Sequence, residues 1–394
     1  MAAKIWRFLV ALFDWRTYLR FIFQKPSLDV VFVTNMRDQK DRKTFLGKWR
    51  PPEGHFNGPR YWIKGVAGRT RALDIIADEM RGVKGHWNAK TLFIKGCQWA
   101  DERQANVILA TAGTKRLFEN DADYLKEMFP RMTFTIGDNG TFLLLKGETL
   151  RALEQAGLKP GYCRIAVLGP YGFLGEMMTG VLMKMGHEVV GAGPNVGELQ
   201  EVKKKFGIEV YRTFEEMGQV DAVVACTHSK AICLTTEKVE LIRRHDRRLL
   251  VVDVAEPSNM VRREYEKCKN VVIRQDAGNG YSPKLKYVLG AVSYKMFRLS
   301  RGVTFGCFAE ALSLSWAMKN GREKETGQRD WFSVNESNMA FIAGLFEEMG
   351  FTIPSPRCFA KPVNSFNLDL SRKKESMWTS KIRFAASKVA SFLW

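Results

Sequence analysis

Apolar and polar positions change rhythm repeatedly along this chain, and the changes mark out its elements. Leu28-Asp-Val-Val-Phe-Val-Thr34 is a compact apolar run rich in β-branched residues and reads as a strand. The basic, proline-containing stretch from Arg37 to Arg60 reads as a loop. Leu73, Ile76, Ala77 and Met80 recur at the spacing of one helical face, so Arg69 to Met80 reads as a helix. Thr91 to Lys95 reads as a strand, and Ala105 to Ala110 as another strand or a short helix. Phe134-Thr-Ile-Gly137-Asp-Asn-Gly140-Thr141 is a glycine-bearing loop. It feeds a helix from Phe142 to Gln155, closed by Gly157 and Pro160.

Beyond Pro160 the alternation becomes regular. Strands are expected at Arg164–Leu168, His187–Ala192, Ile208–Tyr211, Val220–Cys226, Arg248–Asp253 and Asn270–Arg274. Helices are expected at Met177–Met185, Glu198–Phe206 and Glu237–His245. Strands alternating with helices predict a doubly wound parallel sheet of the Rossmann kind. Two more helices are expected, from Cys307 to Met318 and from Asn335 to Met349, the second ended by Gly350. The fold class is therefore α/β. The expected plan is an interfacial helix over 1–26, an α/β substrate domain over 27–158 and a Rossmann-like domain over 159–300. A helical domain over 301–355 and a basic amphipathic tail over 356–394 complete it.

The chemistry starts at Gly169-Pro170-Tyr171-Gly172-Phe173-Leu174-Gly175, between the first strand of the regular region and its helix. A glycine turn there brings backbone N–H groups and a helix N-terminus up to a phosphate. The spacing is GxxGxxG, a variant of the GxGxxG dinucleotide fingerprint. Ligands of such sheets sit beyond the C-terminal strand ends, which adds Asn195, Cys226, Thr227, His228, Ala277 and Gly278 to the candidate cofactor residues. The second strand ends in Gly191-Ala-Gly-Pro-Asn195, with no acid before Glu198 to hold a ribose 2′-hydroxyl. That favours NADPH over NADH, although no arginine sits at the tip and Lys203, Lys204 and Lys205 follow one helix later.

Charge and cysteine content narrow the setting. The chain of 394 residues carries 61 basic against 42 acidic residues, a net charge of +19. Such a surplus implies an acidic partner. With no nucleic-acid recognition motif, anionic lipid or an acidic protein is expected. The seven cysteines are scattered without a CxxC pair, which points to reduced thiols, a cytoplasmic setting and no metal site. No run is long and apolar enough to span a bilayer. Both ends nevertheless suit a membrane surface. Residues 3–24 are dense in Trp, Phe, Leu and Arg. Trp378, Ile382, Ala385, Val389 and Leu393 share a helical stripe from which Lys381, Arg383 and Lys388 are excluded. A peripheral position on the inner face of the membrane is expected.

Cys307 is the candidate nucleophile. It follows a glycine and opens a predicted helix, whose N-terminus is expected to lower its pKa and favour thiolate. A nucleophilic cysteine in a nicotinamide enzyme suggests acyl transfer to sulfur followed by hydride release of an aldehyde. Cys307-Phe-Ala-Glu-Ala-Leu, Phe332-Ser-Val-Asn335 and Ile342-Ala-Gly-Leu-Phe-Glu-Glu-Met-Gly-Phe351 are similar to the C-terminal region of the long-chain acyl-(acyl carrier protein) reductases of the cyanobacterial alkane pathway. The Phe134–Thr141 loop, the GxxGxxG loop and the Asp276-Ala-Gly278 turn follow in the same order, so the resemblance covers residues 60–355.

The resemblance implies a three-part enzyme with a hydrophobic tunnel, NADPH as cofactor, and acyl carrier protein or acyl-CoA as donor. It implies that Cys307 carries the acyl group as a thioester and that Gly169, Gly172 and Gly175 hold the cofactor. Thr227 and His228 stand where the family has a different polar loop, and the two terminal extensions depart from its pattern. Two other readings compete. One is a shikimate-dehydrogenase-like oxidoreductase of a small alcohol or ketone, drawing a lysine from Lys64, Lys90 or Lys95. The other is a non-catalytic, membrane-docked NADPH-binding protein.

Overall fold

The structure is a computed structural model that describes residues 5, 9, 12, 13, 15–23, 25–118, 122–288 and 299–370. Along the chain come α1 (Trp15–Ile22), β1 (Val30–Met36), α2 (Gln39–Leu46), β2 (His55–Ile63), β3 (Val66–Ile76), α3 (Gly82–Asp101), β4 (Val107–Ala110), α4 (Ala122–Met128), β5 (Thr133–Thr135) and α5 (Asp138–Gln155). The regular region holds β6 (Arg164–Leu168), α6 (Phe173–Lys184), β7 (Glu188–Ala192), α7 (Val196–Phe206), β8 (Glu209–Tyr211), α8 (Phe214–Met217), β9 (Ala222–Ala225), α9 (Thr236–Ile242), β10 (Leu249–Asp253), α10 (Arg262–Cys268) and β11 (Val272–Asp276). The remainder forms β12 (Asn279–Tyr281), β13 (Lys286–Tyr287), β14 (Val303–Phe305), α11 (Gly306–Ala317), α12 (Glu323–Gly327), α13 (Glu336–Met349), β15 (Arg357–Cys358) and β16 (Lys361–Pro362).

The chain divides into two compact units. The first takes Met1–Leu145 and Gly278–Pro354, the second Lys146–Ala277 and Ser355–Trp394. This differs from the expected plan. The helices of 301–355 form no domain of their own but pack on the sheet of the first unit. Residues 356–370 are not a free tail. They form the β15–β16 hairpin and bury Phe366 and Leu368 in the second unit. The basic segment 371–394 lies outside the described residues.

The first unit is built on a sheet in the order β13-β2-β3-β1-β4-β5. β1, β3, β4 and β5 run parallel, and β2 and β13 close one side antiparallel. β1 shows why its sequence is an unbroken apolar run. Val30 and Phe32 face the cluster holding Phe308 and Leu312 of α11, while Val31 and Val33 face Phe93 and Cys97 of α3. A strand covered on both faces has no polar side to show.

Three expected elements in this unit are overturned. Arg69 to Met80 is not a helix: most of it is β3, paired with β2. Lys64 and Gly65 both take positive φ, 43° and 79°, which gives a two-residue hairpin turn and sets Ile63 opposite Val66. Sheet pairing then overrides a helical spacing that rested on four residues. Thr91 to Lys95 is not a strand but the middle of α3, where Ala89, Phe93, Gly96, Cys97 and Ala100 are buried at helical intervals. The supposed loop Arg37–Arg60 contains α2, capped by the Asp38 carboxylate on the Asp41 N–H at 2.8 Å, and most of β2.

The second unit matches its sequence closely. All six strands are parallel, in the order β8-β7-β6-β9-β10-β11. This is the strand order of a dinucleotide-binding doubly wound sheet, reversing direction between β6 and β9. At the far side Arg274, 1% exposed in its side chain, ties two strand ends together. It pairs with Asp253 at 2.8 Å and Asp276 at 2.5 Å, under the ring of Phe359 at 4.0 Å. A buried cation between two carboxylates is costly to break, because the partners left behind stay desolvated. Arg274→Leu is expected to lower unfolding stability by about 3–5 kcal/mol in urea denaturation. A loss under about 1 kcal/mol, the scale of a surface pair, would contradict this role.

Candidate active site

Cys307 lies in the first turn of α11, half-buried, in the first unit. Three glycines let a second helix N-terminus meet it. Gly137 has φ +72°, and a Cβ placed there would lie 2.3 Å from the Cys307 Cβ. A Cβ on Gly140 would lie 2.9 Å from the Glu310 Cβ, and one on Gly306 would lie 2.7 Å from the Thr141 Cα. No side chain is tolerated at these points, so the starts of α5 and α11 are pressed together. This is why Gly137-Asp-Asn-Gly140 and Gly306-Cys307 stand where they do in the sequence. The expected loop is shorter than its sequence suggested: β5 ends at Thr135, and α5 begins at Asp138.

Glu310 clamps the junction. It is fully buried, one helical turn from Cys307. One carboxylate oxygen accepts the Thr135 hydroxyl at 2.5 Å and the other accepts the Gly140 N–H at 2.6 Å. The Thr135 oxygen in turn accepts the Gly137 N–H at 2.9 Å. Burial raises the Glu310 carboxyl to about 7, against the lowering effect of the Thr135 and Gly140 hydrogen bonds. Lys115, from the turn after β4, is ion-paired with Asp138 at the start of α5. Asn139 is buried, its amide donating to the Ser333 carbonyl and its oxygen accepting the Asn335 N–H. Asn335 caps α13. The similarity motifs around 137, 307 and 335 thus converge in one place.

The expected thiolate is a correction. Burial pushes the Cys307 thiol up to about 11, with Lys115 pulling it down and Asp138 and Glu310 pushing it further up. A helix N-terminus contributes about 0.3–1 kcal/mol, less than the roughly 1.4 kcal/mol of a single pKa unit, so desolvation wins. Glu310, Lys115 and Asp138 were not legible as site residues, because they lie apart in sequence and only Glu310 shares the cysteine's helix.

The glycine loop of the second unit is a phosphate cradle in form. Gly169 has φ +76°, and a Cβ there would lie 2.7 Å from the Thr227 Cβ. A Cβ on Gly175 would lie 2.1 Å from the Gly169 carbonyl oxygen. Gly172 is the N-cap of α6 and offers no side chain, so the first N–H groups of α6, on Phe173 and Leu174, lack a side-chain cap. Pro170 and Tyr171 pack against Gly191 and Gly193 at the end of β7. Asn195 caps α7 by accepting the Glu198 N–H at 3.5 Å. Cys226 and Thr227 follow β9, beside the strand that leads into the loop, and His228 is exposed. Ala277 donates its N–H to the Asp253 carbonyl. Gly278 belongs to the first unit, where its carbonyl accepts the Gly306 N–H at 2.8 Å, one residue before Cys307.

Arg212 is a residue the sequence reading missed. The Gly193 N–H donates to the Tyr211 carbonyl at 3.1 Å, so the chain leaving β8 passes beside the tip of β7. Arg212 is therefore an exposed cation at the end of the neighbouring strand. The signal was one residue beyond the third strand of the fold, not at the second.

No protein-family profile matches the chain, and no curated protein matches it. Solved structures do. The nucleotide-binding domain of glutamyl-tRNA reductase from Thermoplasma volcanium is 17% identical over 33% of this chain and 84% of its own, with a TM-score of 0.25. Dipicolinate synthase A chain from Bacillus subtilis is 14% identical over 43% of this chain and 56% of its own, with a TM-score of 0.31. L-tryptophan dehydrogenase from Nostoc punctiforme is 9% identical over 80% of this chain and 90% of its own, with a TM-score of 0.38. Likenesses of this degree identify no activity. The α/β fold class with its Rossmann-type sheet stands on the strand order itself.

The thiol's environment sets its reactivity. Alkylation of Cys307 by iodoacetamide, followed on its own peptide by mass spectrometry, is expected to rise about tenfold per pH unit up to about pH 10. Lys115→Ala is expected to slow it at every pH in that range, since the lysine favours the thiolate. A plateau reached near pH 8 would contradict a raised thiol pKa.

Proposed function

We propose that this chain is an NADPH-dependent reductase of long-chain acyl thioesters that releases a fatty aldehyde through an acyl group carried on Cys307. The observation that carries the reading is the convergence of Cys307, Glu310, Lys115 and Asp138 at two abutting helix N-termini. N–H groups at helix starts are suited to an oxyanion, and the lysine adds a positive charge. The similarity of the Cys307, Asn335 and Ile342–Phe351 segments to the acyl-(acyl carrier protein) reductases supports the substrate class. Coarser than this, the strand order and the glycine cradle support NAD(P)-dependent oxidoreduction.

The reaction balances as follows. The Cys307 sulfur attacks the thioester carbonyl, a carbon–sulfur bond to Cys307 forms, and the bond to the carrier sulfur breaks. The thiol proton leaves to the carrier thiol. NADPH, which Gly169, Gly172 and Gly175 would hold, would supply a hydride to the acyl carbon and be oxidised to NADP. The resulting thiohemiacetal takes one proton at oxygen and collapses to aldehyde and free Cys307. The acidic acyl carrier protein, or acyl-CoA with its phosphates, suits a chain of net charge +19.

For the cofactor, Gly169, Gly172 and Gly175 would seat the pyrophosphate and Arg212 would face the 2′-phosphate. Arg212→Ala is expected to raise KM for NADPH roughly tenfold or more and leave that for NADH within about twofold. Equal effects on both would remove Arg212 from this role. For the chemistry, incubation with palmitoyl-CoA without NADPH is expected to add one palmitoyl mass on the Cys307 peptide. Cys307→Ser should lose both the adduct and aldehyde formation while still binding NADPH by fluorescence titration. Aldehyde formation that survives Cys307→Ser would refute the acyl-enzyme.

A further inference from the structure

The first helix is amphipathic in the wrong sense for a soluble surface. Arg20, on α1, is only 9% exposed. Its guanidinium pairs with the buried Asp29 at 2.7 Å, donates to the Gly65 carbonyl at 3.2 Å and lies 5.2 Å over the Trp62 ring. Asp29 also accepts Lys319 at 3.1 Å and the Ala67 N–H at 2.6 Å. The helix is thus fastened to the first unit through its charge. Its described apolar side chains are exposed instead. Leu12, Trp15, Leu19 and Ile22 fall three, four and three residues apart, on one side of a helix, and are 56%, 55%, 42% and 67% exposed. Phe23, 67% exposed, widens that surface.

A folding helix normally buries its apolar stripe and shows its charges. Here the reverse is held in place by a buried ion pair, so the exposed stripe is fixed rather than frayed. Charge says what it faces. Residues 1–26 hold five basic side chains, Lys4, Arg7, Arg16, Arg20 and Lys25, against one acid, Asp14. Residues 371–394 hold six, against Glu375 alone. The two ends therefore supply nine of the nineteen net positive charges, four and five respectively. Aromatic and aliphatic side chains flanked by Arg and Lys are suited to the headgroup boundary of an anionic bilayer.

We propose that the outward face of α1, with Leu12 just before it, is a docking surface for an anionic lipid bilayer, oriented by the Arg20–Asp29 pair. The surface is distinct from the Cys307 site, and its test stands or falls separately from the acyl-reductase reading. A lipid surface also suits a long-chain aldehyde, which partitions into the bilayer that holds the enzyme.

The test is flotation of the full chain with vesicles of phosphatidylcholine alone and of phosphatidylcholine with phosphatidylglycerol in equal parts. The chain is expected to float with the anionic vesicles, and brominated lipid is expected to quench its tryptophan fluorescence. The triple variant Leu12→Gln, Leu19→Gln, Ile22→Gln changes only exposed side chains, and circular dichroism should match the parent. Its partitioning is expected to fall at least roughly tenfold. A parent that stays in the soluble fraction with anionic vesicles overturns the proposal, as does a triple variant that floats as well as the parent. A concentration-dependent dimer that the triple variant abolishes, without flotation, also overturns it and assigns the face to a second copy of the chain.

Discussion

The first unit depends on one close approach, that of the start of α5 to the start of α11. Gly137, Gly140 and Gly306 remove the side chains that would hold the two helices apart. Glu310 then closes the junction from inside, with one carboxylate oxygen on the Gly140 N–H and the other on Thr135. A carboxyl buried this deeply costs free energy unless both oxygens are satisfied, and here both are. Cys307, Asn139 and Asn335 are placed as a consequence. The cysteine sits beside two sets of helix-end N–H groups and one lysine, yet in surroundings dry enough to keep its proton.

That combination has a chemical meaning. Burial raises the Cys307 thiol to about 11, which disfavours the thiolate that oxidants and alkylating agents attack. In the second unit the division of labour is simpler. The glycine loop offers backbone donors, Thr227 packs over its first glycine, and the Arg274 network fixes the far strand ends.

How much of this was readable in the sequence follows from where each signal is stored. The parallel sheet of the second unit was legible because each of its strands is a short apolar run flanked by a helix, and the glycine loop sits at the first turn. The first unit misled the reading where packing overrode local spacing. Four apolar residues between Leu73 and Met80 fit a helix, but the Lys64–Gly65 turn folds that stretch back as β3. The apolar cluster Leu92-Phe93-Ile94 fits a strand, but the burial of Ala89, Phe93, Cys97 and Ala100 on one side makes it α3. Cys307 stood out as a candidate from its sequence context, whereas Glu310, Lys115, Asp138 and Arg212 become candidates only through their neighbours in space.

By itself the sequence determined the alternation of the second unit, the position of its glycine turn, the candidate nucleophile and the excess of positive charge at both chain ends. These are local or compositional properties, carried by residues close together in the chain. Only the tertiary structure decided that the helices after residue 300 join the first sheet, that burial opposes ionisation of the cysteine, and that α1 turns apolar side chains outward. Each of these depends on desolvation or pairing between residues far apart in sequence. The energy that settles them arises where distant segments meet.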